Sequence, residues 1–214
     1  QPSFSHFTSM AYWHTATPNS GNEYGWLGRT ADAISGERSS DLIVQVGNQQ
    51  SLVVNSANHT PVVFDEPSRF LKDSSGADYE IPSPESNASA PNKNSYNYLM
   101  RVAQSAKTSS ERIQQAWSAY QTEVDYGILP MDLPKVAACI EAGYPAQLYH
   151  VAFRNNSFDT HVQQPALHRR LLSYASDAIT GFVRDLKQKA IDQNVVVLIH
   201  SEFGRRAGEN ANLG

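Results

Sequence analysis

At 214 residues, with 40% hydrophobic and 10% aromatic content, the chain can bury one sizeable core, and a single domain is the expectation. A formal charge of −4 without a clustered basic face excludes electrostatic recruitment to nucleic acid or anionic lipid. One cysteine, Cys139, precludes an internal disulfide, no stretch reaches the length of a membrane span, and the first residues carry no charged-then-apolar signal segment.

Ser5 stands as a helix N-cap ahead of Phe7, Met10, Ala11 and His14 near helical spacing, so residues 5–15 are expected to form a short helix. Short β-branched runs predict strands over residues 41–46, 51–54 and 61–64. Ser, Pro, Asn and Asp then dominate, and a loop-rich surface excursion is expected over about 65–94. An apolar stripe through Leu99, Val102, Ala106, Ile113, Ala116, Trp117, Tyr120 and Val124 predicts one long or broken helix over 95–124. A second helix over 133–142 carries Cys139 on its apolar face and is stopped by Gly143 and Pro145.

Residues 147–153 read as a strand. Leu167, Leu171, Ala175, Ile179, Phe182, Val183 and Leu186 then recur at helical spacing and lead to the continuous apolar run 195–199. Strand, helix and strand form a βαβ unit, and an apolar run of that kind is expected to be buried on both faces. The fold class is therefore α/β, with a mostly parallel sheet covered by helices on both sides.

Ligands of open α/β sheets bind beyond the carboxyl ends of the strands. Two acidic motifs fall there, Phe158-Asp159-Thr160-His161 and Ser201-Glu202-Phe203-Gly204-Arg205. Parallel strands would bring Asp159 and Glu202 to one edge with His161 near them, and carboxylate oxygen with imidazole nitrogen suits a divalent ion. Asp159 has a structural alternative as the cap of a helix from Val162 onward. His14, His150, His168 and His200 read as packed or solvent-facing histidines.

The run from Phe158 to His161, with Gln164, His168, Leu171 and Leu172, and the run from Ser201 to Arg205, with Glu209 and Asn210, resemble a bacterial family of uncharacterised exported proteins. Phe4-Ser5-His6-Phe7, Trp13 and Gly25-Trp26-Leu27-Gly28-Arg29 resemble its pattern upstream. That family is usually exported on a twin-arginine signal and is related to alkaline phosphatases, sulfatases and cofactor-independent phosphoglycerate mutases. The resemblance implies an alkaline-phosphatase-like three-layer α/β/α sandwich of which residues 1–214 are the central part. It also implies a periplasmic location, and further ligands in a Gly-Gly-Asn-Asp-type loop before Gln1 and a Thr-Asp-His-Gly-type segment after Gly214.

Carried over by position, Asp159 resembles a metal ligand of the superfamily, and Glu202 takes the place of an Asp in its Asp-His motif, with Phe203 where the His would be. His161 could then supply the imidazole. Ser5 matches the nucleophile at the start of a helix, where it reads equally as an N-cap. Arg205 offers bidentate contact to an anion. Asp65-Glu66-Pro67-Ser68-Arg69 has Asp65 where a formylglycine sulfatase needs Cys or Ser, which argues against that chemistry. The expected function is metal-dependent hydrolysis of small phosphate or sulfate esters with zinc, manganese or calcium. The alternative is a non-catalytic exported binding or assembly protein that retains the fold.

Overall fold

A computed structural model describes residues 5–18, 23–36, 41–70, 93–153, 157–202, 204, 208 and 211–212. Three short strands, β1 (Ile43–Val46), β2 (Val62–Phe64) and β3 (Leu148–Val151), form an open sheet in the order β2-β1-β3. Both pairings are parallel, with Val44 opposite Val62 and Gln45 opposite His150. Five α-helices among the described residues accompany it: α1 (His6–Thr15), α2 (Trp26–Ile34), α3 (Lys93–Ala119), α4 (Leu133–Glu141) and α5 (Gln164–Gln188).

Alternation along β1 divides the apolar interior in two, because successive side chains leave opposite faces of a strand. Val44 and Val46 join Val62, Phe64, Ile113 of α3, Val136 and Cys139 of α4, and Phe182 and Leu186 of α5. Ile43 faces the other way, into Leu27 and Ala31 of α2 and into Val53 and Val54. Register carries this across to β3, where Tyr149 and Val151 pack on the first cluster and Leu148 on the second.

Residues 51–54 are a 3-10 turn, Leu52–Val54, and not the predicted strand. The Ser51 hydroxyl accepts from the Val53 N–H at 3.4 Å, and the Asn55 N–H closes the turn on the Leu52 carbonyl at 3.1 Å. The turn lies against α2 so closely that a Cβ at Gly25 would sit 2.0 Å from the Val53 oxygen, and one at Gly28 1.8 Å from the Asn55 oxygen. β-branching marked this segment for burial, which it has, but not for a ladder.

Gly143 ends α4 as expected. At φ +66° it lets the Tyr144 N–H reach the Cys139 carbonyl at 2.9 Å while its own N–H meets Ile140 at 3.0 Å, a Schellman closure. Cys139 is 2% exposed, and burial pushes its thiol up to about 12. α3 stops at Ala119, short of the predicted 124, because Tyr120, Thr122 and Tyr126 turn their hydroxyls onto Asp185 of α5, at 2.5, 2.7 and 2.8 Å.

The run 195–199 departs most from expectation. Val195 packs on the first core, whereas Val196, Leu198 and Ile199 are 93%, 68% and 70% exposed, and the run joins no ladder among the described residues. β3 pairs with β1 instead. Apolar composition alone cannot place a strand; a neighbour must take up its N–H and C=O groups.

Candidate functional site

Strand order fixes where a site can form. β1 lies between β2 and β3, and in parallel sheets of this kind the segments beyond the carboxyl ends of the strands are where ligands bind. Asp159 and His161 lie in the connection from β3 to α5. Phe158 holds that connection, its ring 4.9 Å from Phe153 and 6.0 Å from His168 of α5. Asp159 does not cap a helix, since α5 begins at Gln164 behind Gln163, which has no side-chain cap bond.

His6, the first residue of α1, draws the two acidic motifs together. Its Nδ1 is 2.7 Å from Glu202 Oε1 and its Nε2 is 3.1 Å from Asp159 Oδ1. His161 Nε2 approaches the same Asp159 oxygen at 2.7 Å, and the Ser201 hydroxyl donates to Glu202 Oε2 at 2.9 Å. Ser5 immediately precedes His6 as the N-cap of α1, accepting from the Thr8 N–H at 3.4 Å. Asp159 and Glu202, nominated from sequence, therefore meet on one imidazole beside the nominated serine, with the nominated His161 on Asp159. Arg205 lies outside the described residues, as does Phe203.

Charge explains the arrangement. Two carboxylates brought to one edge repel unless a donor intervenes. The hydrogen bond to Glu202 holds His6 above the ordinary imidazole range against the effect of burial, and Asp159 adds to the rise. Burial works to raise Glu202, but its backbone N–H, His6 and the Ser201 hydroxyl together hold it below the usual carboxylate range. His6 was missed as a site residue although it stands in the Phe4-Ser5-His6-Phe7 run. The available signal was its place in the first turn of a helix that also carries the serine.

A second layer of imidazoles lies on the α1 and α2 face of the sheet. His14 of α1 has its ring centroid 6.4 Å from those of both His150 of β3 and His200, and its Nδ1 is 3.4 Å from the Ser51 hydroxyl. Trp13 stacks on His200 at 6.1 Å and Trp26 meets it edge-on at 6.3 Å. Burial lowers His14, with His200 adding to the effect, and burial followed by His14 and His200 pushes His150 down to about 4. In this layer His14 and His150 are held below the ordinary imidazole range chiefly by burial.

Among the described residues no three His, Cys, Asp or Glu side chains converge on a common cation position as they stand. The donors of the cluster contact one another directly. Two carboxylates with two imidazoles nevertheless match the chemistry of a zinc-class or manganese-class ion. An ion about 2.0–2.1 Å from each donor needs tetrahedral donors about 3.3 Å apart. The 3.1 and 2.7 Å contacts at Asp159 approach that spacing, and the His161 side chain is 70% exposed and able to adjust. A groove of about 510 Å³ runs along α5 past Pro165, His168 and Asp177, and none of the cluster residues lines it.

No helix among the described residues is long and apolar enough to cross a membrane. No curated protein and no solved structure matches the chain. A family model does, and it spans both acidic motifs, the Ser5-His6 pair and the Gly25–Arg29 run at once: over residues 1–214 the chain belongs to the family described as protein of unknown function (DUF1501).

Proposed function

We propose that this chain forms part of a metal-dependent hydrolase acting on small phosphate or sulfate esters. The observation that carries the reading is the chain of contacts from His161 to Asp159 to His6 to Glu202, next to Ser5 at the N-terminus of α1. Asp159 and His161 are the pair best placed to hold a divalent ion, and Glu202 belongs to the same centre. When bound, such an ion polarises the ester oxygen and lowers the pKa of a bound hydroxyl or water.

The chain's own residues supply the remainder. Ser5 is the nucleophile, presented where the helix dipole and the first N–H groups of α1 favour an oxyanion. Arg205 pairs with the anionic group of the substrate. The sheet with cores on both faces supports a three-layer α/β/α sandwich of alkaline-phosphatase type. Export to the periplasm is part of the same proposal and rests on the sequence resemblance.

The test is metal content and turnover of phosphate and sulfate monoesters by the purified full-length protein. Asp159→Asn should lower both. Ser5→Ala should keep the metal and stop turnover; retained turnover removes the serine from the mechanism. Phe203, standing where the related Asp-His motif has its imidazole, favours a second reading, a non-catalytic exported binding protein of the same fold. Stoichiometric metal that Asp159→Asn removes, together with ester turnover, excludes that reading.

A further inference from the structure

The distances at the centre sort its members into two shells. Asp159 Oδ1 stands 3.1 Å from His6 Nε2 and 2.7 Å from His161 Nε2, so one carboxylate oxygen is approached by two imidazole nitrogens. Glu202 lies on the opposite edge of His6, its Oε1 2.7 Å from Nδ1. The two nitrogens of an imidazole point away from one another. An ion bound between His6 Nε2 and Asp159 is therefore out of reach of the Glu202 oxygen that holds Nδ1.

We infer that His6 is the third ligand, with Asp159 and His161, of a zinc-class divalent cation, and that Glu202 is a positioning residue that accepts the Nδ1–H of His6 and aims Nε2 at the ion. The inference rests on the metal reading proposed above and assigns its shells. Two imidazoles with one carboxylate are a donor set of catalytic zinc centres, which keep a further position for water or substrate. A carboxylate on the far nitrogen is the outer contact that fixes the tautomer and orientation of a ligating histidine. Ser201 restrains that carboxylate in turn, donating to Glu202 Oε2 at 2.9 Å.

At Asp159, opening the contacts around an ion is a small movement. The Nε2 to Oδ1 separations must grow by roughly 0.2–0.6 Å to reach tetrahedral spacing. Asp159 and His6 side chains are 31% and 28% exposed and His161 is 70% exposed, so packing does not oppose the shift. Glu202, at 18%, is the most enclosed of the four. That order suits a fixed outer carboxylate behind movable ligands.

Zinc binding by the full-length protein tests the assignment, with affinity from competition against a chelator and the number of imidazoles at zinc from X-ray absorption. Circular dichroism of each variant checks that it folds. The wild type should bind zinc, and Asp159→Asn should lose it. His6→Ala, and His6→Gln should the alanine variant fail to fold, should remove one imidazole from the zinc shell and weaken binding by more than about 100-fold. Glu202→Ala should weaken binding by about 10–100-fold with the imidazole number unchanged, and Glu202→Gln, whose oxygen still accepts from Nδ1, should recover most of it. An unchanged imidazole number in the His6 variants, or loss of zinc in Glu202→Gln as complete as in Asp159→Asn, overturns the assignment and leaves the metal reading standing. A wild type that takes up no zinc overturns both.

Discussion

Gly28→Ala tests the packing that seats α2 against the turn after β1. The added methyl would lie 1.8 Å from the Asn55 oxygen, 2.3 Å from its carbonyl carbon and 2.8 Å from the Ser56 nitrogen, all backbone atoms that cannot rotate away. Ordinary contact is about 3.5 Å, so α2 has to retreat by more than about 1 Å. That movement loosens Leu27 and Ala31 from Ile43, Val53 and Val54, which pack as one cluster. Overpacking of this kind costs about 1–3 kcal/mol, and roughly 3 kcal/mol is expected here because the clash is with main chain. In a protein of this size the melting temperature should fall by about 6–12 °C. Gly36→Ala is the control: its methyl would meet nothing within 4 Å, and stability should hold or rise by up to about 1 kcal/mol. Thermal and urea unfolding measure both. Equal midpoints for Gly28→Ala and wild type would refute the reasoning from close approach.

Three further outcomes are expected. Tyr126→Phe removes one of three hydroxyls on Asp185, which is 1% exposed, and should destabilise by about 1–2 kcal/mol; Asp185→Ala strands all three and should cost about 3–5 kcal/mol, both read from urea midpoints. His150 binds its proton less readily when folded, falling from 6.5 to about 4, so its contribution is complete above pH 6.5 and is lost as the pH drops towards 4. Unfolding free energy should therefore fall by on the order of 3 kcal/mol more across that window in wild type than in His150→Gln. The hydrogen bonds from Ser56, Ala57 and Asn58 hold Asp32 below the usual carboxylate range although burial works to raise it, so stability owed to it is present at neutral pH and is lost on acidification. Asp32→Asn should flatten the acid limb of the stability curve, and an unchanged limb counts against the role.

Legibility followed the physics of each segment. Helices with local signals were readable: Ser5 as the cap of α1, Gly143 as the stop of α4, and the long stripe of α5 all stand where side-chain spacing put them. β1 and β2 were readable as β-branched runs, and β3 as the strand ahead of the long helix. Segment 51–54 was misread because burial and β-branching are shared by strands and by a turn pressed against a helix. Segment 195–199 was misread for the reason a strand is never a local object, that its state depends on a neighbouring chain segment. At the site, Asp159, His161 and Glu202 could be nominated from their positions after apolar runs, whereas His6 had only its place beside Ser5 in the first turn of α1 as a signal, and its contacts with residues 159 and 202 are encoded by no spacing.

The Gly25–Arg29 run gains its meaning from the same geometry. Its two glycines let α2 lie on the Leu52–Val54 turn, Leu27 fills the second core, and Trp26 meets His200. Arg29 then reaches back to α1, donating to the Thr15 carbonyl at 2.6 Å and to the Tyr24 carbonyl at 2.8 Å. The first of those bonds satisfies a carbonyl in the last turn of α1 with a cation, where the helix dipole favours one. α1 carries Ser5 at its start, His6 in its first turn and His14 in its last. The run is thus a bracket for α1: it holds at one end the helix whose other end places His6 between Asp159 and Glu202, 196 residues from Glu202 in sequence. A motif with no chemistry of its own is in this way tied to the geometry of the acidic cluster, and disturbance at Gly28 has a defined route to His6 through α2, Arg29 and α1.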